Sequence, residues 1–139
     1  CLGTDGCGGN MFEEIKIGFF KHKDVTGPWW PSNFLEVLNR GNRLVESQFG
    51  GRIKLGKIEE GYTADIVLLD YNNPTPLVTE NAPGHFVWGM GSGCVNTTIV
   101  NGKVLFRDHK FVRSDASDIY KRAAEVAGEL WKEVDKIKA

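Results

Sequence analysis

Long apolar runs are missing from this chain. No stretch of 18 consecutive apolar residues occurs, so nothing in it has the length and composition of a membrane-spanning helix. No segment combines the basic and apolar regions of a signal peptide. An excess of one charge is missing too. Seventeen basic residues face 18 acidic ones, a net charge of −1, which argues against nucleic acid or a membrane surface as a partner. The one basic cluster, Lys21-His22-Lys23, is short and followed by Asp24, and reads as a solvated helix end. Cysteine is scarce and odd in number. Cys1, Cys7 and Cys94 fit free thiols in a reducing compartment better than a disulfide framework, and a cytoplasmic location is expected. Histidine occurs three times, at His22, His85 and His109, widely spaced and never as a His-x-His pair. Length is limiting as well: 139 residues hold one domain with a real core. A (β/α)8 barrel, at about 250 residues, does not fit. The chain opens with Cys1 rather than Met, directly into an apolar–glycine sequence, so its start is expected to be an engineered or processed boundary.

What is present is patterned. Residues 2–5 read as the end of a strand, followed by a turn containing Gly6, Gly8 and Gly9, with Asn10 as N-cap of a helix over residues 11–22. Met11, Phe12, Ile15 and Phe19 recur at helical spacing, with Glu13 and Glu14 at the start and Lys21 and Lys23 at the end to complement the helix dipole. Pro28 and Pro31 make residues 26–31 a loop. Ser32 or Asn33 is then expected to cap a second helix running to about residue 48. Its buried face would be Phe34, Leu35, Leu38, Val45 and Phe49, and Gly50-Gly51 would stop it. From Arg52 the period turns to β. Residues 64–71 predict a strand covered on both faces, because Ile66-Val67-Leu68-Leu69 is continuously apolar. Residues 84–93 allow a helical turn or a short strand. Residues 94–100 and 103–107 form a hairpin around Asn101-Gly102, a type I′ signature, and a second turn at residues 108–110 leads back to Phe111-Val112. Ser114 or Asp115 caps a last helix over residues 118–136, with an apolar face of Ile119, Ala123, Val126, Ala127, Leu130, Val134 and Ile137. The fold class is α+β.

Three segments in order carry a resemblance: Leu2-Gly3-Thr4-Asp5-Gly6, then Gly56-Lys57-Ile58-Glu59-Glu60-Gly61-Tyr62-Thr63-Ala64-Asp65-Ile66-Val67-Leu68-Leu69-Asp70, then Thr98-Ile99-Val100-Asn101-Gly102-Lys103-Val104. They resemble the C-terminal end of the amidohydrolase superfamily, and within it the aminohydrolase/chlorohydrolase branch, particularly the SsnA-type aminohydrolases. The resemblance covers residues 1 to about 112 well. It implies that the chain is the remnant of a metal-dependent-hydrolase (β/α)8 barrel, plus part of a small β-sandwich (composite) domain and a C-terminal helix. Residues 1–51 would be the end of barrel strand 8 with the last barrel helices, 52–113 the β-sandwich part, and 114–139 the closing helix.

The resemblance makes Asp5 the catalytic and metal-binding candidate. A divalent metal, zinc or iron, lowers the pKa of its bound water to about 7, and a carboxylate beside it exchanges the proton. From the tetrad alone, Asp5 reads equally well as a turn residue among glycines. The chain departs from the family in lacking its His-x-His pair and further histidines. A catalytic zinc site takes three protein ligands, so Asp5 alone cannot hold a metal; the resemblance implies that the parent is a deaminase-type hydrolase of non-peptide C–N bonds in a small-molecule substrate. The 139 residues alone would hold no cofactor and be inactive. The alternative is an autonomous β-rich interaction or oligomerisation module without catalysis. Self-association, most simply a homodimer, is expected through apolar faces of the first two helices and a sheet edge.

Other patterns carry less. Residues 3–9 match neither the dinucleotide fingerprint nor a phosphate-binding P-loop. Trp29, Trp30, Trp88 and Phe86 read as core or interface before a ligand platform, His85 as a satisfied core or surface histidine, and Asp65 and Asp70 as turn or strand-end carboxylates.

Overall fold

The computed structural model describes residues 1–6 and 8–138, so the expectation that Cys7 is a free thiol lies outside it; Cys1 and Cys94 are free. The architecture is α+β: helices and one small antiparallel sheet. Helix α1 spans Met11–Asp24 and is capped as its sequence requires, the Asn10 side chain accepting a hydrogen bond from the Phe12 N–H at 3.2 Å. Helix α2 spans Pro31–Gln48. Its cap corrects the expectation of Ser32 or Asn33. Trp30 is the cap, Pro31 takes the first helical position, where its missing N–H costs nothing, and Asn33 reaches back to accept the Trp30 N–H at 2.8 Å.

The core lies where α1 and α2 meet a third, irregular element. A helical turn α3 (Ala82–Gly84) runs into a π-helical turn (His85–Gly89), resolving residues 84–93 as mainly helical. Ile15, Phe19, Phe34 and Val87 are buried together, with Leu2, Leu38 and Phe86 packed around them. Phe19 meets Phe34 and Trp88 edge-on, each at 5.6 Å between ring centres. Each such side chain removed from water contributes about 1.5–3 kcal/mol. Two expectations are corrected here. The faces of α1 and α2 around Phe19 and Phe34 are covered by the His85–Gly89 turn rather than left open. In α2 the buried positions are Pro31, Phe34 and Val37, all in its first half, whereas Val45 and Phe49 are exposed; the second half is met instead by the Leu55–Gly56 segment, through Glu46 and Asn42.

The strands β1 (Ile66–Leu69), β2 (Val95–Val100), β3 (Lys103–Arg107) and β4 (Lys110–Phe111) pair antiparallel in sequence order. Ile66 faces Ile99 and Leu68 faces Thr97, and a bulge follows before Leu69 meets Val95. Asn101 (φ 48°) and Gly102 (φ 73°) are both left-handed, as a type I′ turn demands, and Asp108 (φ 50°) with His109 (φ 59°) repeats the device between β3 and β4. The expectation that β1 is covered on both faces is corrected. Val67 and Leu68 are each half exposed, because no second layer lies over them among the described residues. The expected strand end at residues 2–5 is corrected: these residues are unpaired chain leading into a turn, since a ladder needs a neighbouring strand and none pairs with them among the described residues.

Helix α4 (Ala116–Lys138) starts as expected at Asp115, whose carboxylate accepts the Ser117 N–H at 2.8 Å. That bond holds the Asp115 carboxyl below its usual pKa range. No other element packs extensively on α4 among the described residues, and Ile119, Val126, Leu130 and Ile137 of its apolar face are exposed. No helix is long and apolar enough to cross a membrane among the described residues.

Candidate functional site

Asp5 sits in a turn with Gly6, six residues before α1, exposed and with φ 46° in the left-handed region that few non-glycine residues adopt. Its neighbour Leu2 is seated on the core beside Gly18 and Phe34, which anchors the segment leading into the turn. At the same end of α1, Asn10 Nδ2 donates to Ser92 Oγ at 3.1 Å, tying the helix start to the segment after the π-helical turn.

The other polar candidates are occupied elsewhere. His22 Nε2 accepts the backbone N–H of Trp29 at 2.9 Å, and its ring lies against Trp29 and Phe34 at 5.1 and 5.8 Å. Gly27 lies so close under that ring that a Cβ there would overlap it. Lys23 Nζ reaches the Gly27 carbonyl at 3.1 Å and lies 4.5 Å from the centre of the Trp30 ring. The basic cluster is therefore built into the loop rather than merely solvated. Only Lys21, paired with Asp24 at 3.0 Å, behaves as an exposed helix end.

Asp65 accepts the Asn101 N–H at 2.7 Å and locks the hairpin turn to the start of β1. Asp70 accepts from Asn96 Nδ2 at 2.7 Å, with His109 Nε2 at 3.5 Å. Both carboxylates serve the sheet. Among the described residues no group of three His, Cys, Asp or Glu is placed to hold a metal ion. Asp5 offers one carboxylate where a catalytic zinc takes three protein ligands, so these residues alone do not fit that group.

Sequence reasoning missed a second arrangement. A groove of about 590 Å³ opens between the start of α2, the chain leaving β1, and the α3–π-helical segment. Tyr71 and Thr75 meet there on His85, the tyrosine hydroxyl 2.8 Å from Nδ1 and the threonine hydroxyl 3.0 Å from Nε2. His85 is thus satisfied on both nitrogens. Trp30 and Trp88 form walls, while Trp29 and Phe86 belong to the packing around His22 and Phe12. The signal available in the sequence was the spacing of aromatic and proline residues on either side of His85, but nothing in it says that three separate segments converge.

Against known proteins, the model of the family described as "Amidohydrolase family" matches residues 1–105. The chain is 35% identical over 129 residues to a 5'-deoxyadenosine deaminase of Methanocaldococcus jannaschii, covering 90% of this chain and 30% of that protein. It is 32% identical over 133 residues to the 5'-deoxyadenosine deaminase of Methanopyrus kandleri, covering 93% and 31%. The 5'-deoxyadenosine deaminase of Methanosarcina mazei is 31% identical over 133 residues, covering 93% and 30%. The chain spans about three tenths of the length of these curated relatives.

Proposed function

The chain belongs to the amidohydrolase family, and from that premise we propose that it is the C-terminal part of a deaminase-type aminohydrolase. The activity is hydrolysis of a non-peptide C–N bond in a small molecule, releasing ammonia. The observation that carries this reading is that deaminase-named relatives align over nine tenths of the chain. An aminated purine nucleoside of the kind those relatives are named for is the first substrate to try. Assignment to the SsnA-type branch is part of the proposal and rests on the motif order of the sequence.

In this reading residues 1–51 close a barrel, 52–113 belong to a small β-rich domain, and 114–139 form a closing helix. Asp5 is the proposed metal-facing carboxylate, and zinc or iron would supply water activation at neutral pH. The remaining ligands come from chain outside these 139 residues. What this chain contributes is positioning: the Ile15–Phe19–Phe34–Val87 core holds α1, and Leu2 on that core holds the turn that presents Asp5. The compartment would be cytoplasmic.

The test is ammonia release from 5'-deoxyadenosine by the full-length gene product and its Asp5→Asn variant. A loss of at least about a hundredfold is expected, in line with removing a group that exchanges a proton in the reaction. Unchanged turnover in the variant would remove Asp5 from the chemistry. The 139-residue chain alone is expected to release no ammonia and to bind zinc no better than a surface carboxylate. Stoichiometric metal that Asp5→Ala abolishes would overturn this.

The exposed apolar residues of β1 favour a second reading, an interaction module that self-associates, most simply as a homodimer. Sedimentation at micromolar concentration tests the self-association: a compact monomer unfolding in one step removes it.

A further inference from the structure

The groove beside His85 lies away from the Asp5 turn. Phe12 packs on Phe86 near the start of α1, and Phe19 packs on Trp88, roughly 10 Å further along the helix. At about 590 Å³ the groove has the size of small-molecule sites, which run from about 300 to 1,000 Å³. Its back wall is fixed. Tyr71 and Thr75 hold His85 from both sides, and Gly89 leaves room for the Tyr71 hydroxyl that a Cβ would displace. His85 has no nitrogen left for a ligand, so recognition falls to the walls.

Those walls have a sign. Trp30 and Trp88 are 64% and 50% exposed, large for indoles, and the face of an indole ring carries negative potential. The one ionised side chain among the described residues lining the groove is the Glu80 carboxylate; no lysine or arginine lines it. The Lys23 ammonium already lies 4.5 Å from the Trp30 ring centre, so a second cation is better placed against Trp88 and Glu80 than on that ring. We propose that this groove binds a planar, positively charged aryl amidine, stacked on Trp88 with its N–H groups directed to Glu80. The proposal is independent of the deaminase reading, since it uses none of the residues of the Asp5 turn.

The probe is benzamidine, with benzoate as the same ring carrying the opposite charge. Each is titrated against the 139-residue chain while the indole N–H signals are followed by NMR. Benzamidine is expected to bind saturably in the millimolar range and to shift the Trp88 indole N–H, with benzoate at least about tenfold weaker by charge. Glu80→Gln is expected to weaken benzamidine about threefold, as for an exposed ion pair. Trp88→Ala should weaken it about fivefold or more, the scale of a cation–π contact plus stacking. Trp88 also packs on Phe19, so its variant could lose the fold; Glu80→Gln, on an exposed side chain, keeps the test intact. Equal binding of benzoate, an unmoved Trp88 signal, or affinity that survives Glu80→Gln would each overturn the proposal. So would a concentration-dependent shift of the Trp30 and Trp88 signals without probe, which would give the groove to a second copy of the chain.

Discussion

The helical half of the molecule and its sheet are held together by different physics. Around α1, α2 and the His85–Gly89 turn, stability comes from burial: Ile15 and Val87 are almost wholly withdrawn from water and three aromatic rings meet edge-on. In the sheet only Thr97 is buried, and Val67, Leu68, Leu105 and Phe111 remain 40–53% exposed. What fixes the strands is local: ladder hydrogen bonds, two turns of left-handed residues, and the Asp65 carboxylate on the Asn101 N–H. Helix α4 lacks the first kind of support among the described residues and rests on its own backbone hydrogen bonds and the Asp115 cap. The same chain therefore contains a unit specified by packing and a unit specified by backbone conformation.

The sharpest way to break this contrast is to open the core. Phe34→Ala is expected to cost about 3–5 kcal/mol, enough to unfold the helical half at room temperature, as read by denaturant titration. A loss under about 1 kcal/mol would show that burial is not what holds this half together. Gly89→Ala comes next. Its Cβ would push Tyr71 off His85, and overpacking of this sort costs about 1–3 kcal/mol. The expected signature is a lower unfolding midpoint together with altered His85 ring signals. In the sheet, Asn101→Val forces a β-branched residue to φ 48° and should cost about 1 kcal/mol or more. A negligible change in midpoint would mean that the hairpin does not depend on its turn. Ile137→Ser, on α4, should stay within about 0.5 kcal/mol, because the residue is 85% exposed.

The smallest effect is one of pH. The Ser117 N–H favours the charged form of Asp115, so the folded pKa is depressed. The contribution of this cap is complete above the ordinary aspartate value of about 3.9 and fades as pH falls through the folded value. Helicity of α4 measured through an acid titration should decline there, and Asp115→Asn should remove the pH dependence while leaving a cap.

How far the sequence predicts these two units follows from the same contrast. The hairpin was readable because its determinants are contiguous: Asn101-Gly102 names its own turn. The cap at Asn10 was readable for that reason too, and the limits of α1 and α4 to within two residues. The core was readable only in part. Helical spacing identified Ile15, Phe19 and Phe34, but which half of α2 would be covered depended on Val87, far along the chain from Phe34 and in a segment without clear period. The groove was not readable, since Trp30, Tyr71 and His85 come from three segments with no common motif. Asp5 stands apart from both: its candidacy came from the family's pattern, and neither helical spacing nor turn chemistry singles out a carboxylate in an exposed left-handed turn.

The seating of His22 over Gly27 has a consequence for which sequences this fold accepts. Gly27 is not among the left-handed residues, so its backbone alone would allow any side chain; the imidazole above it does not. Freedom at position 27 is thus a property of position 22. A change of His22 to a smaller residue would lift the exclusion at 27 and at the same time release the Trp29 N–H. Alleles of this loop should therefore move in pairs, and a single-site scan would record as an invariant glycine what is the shadow of a histidine five residues earlier.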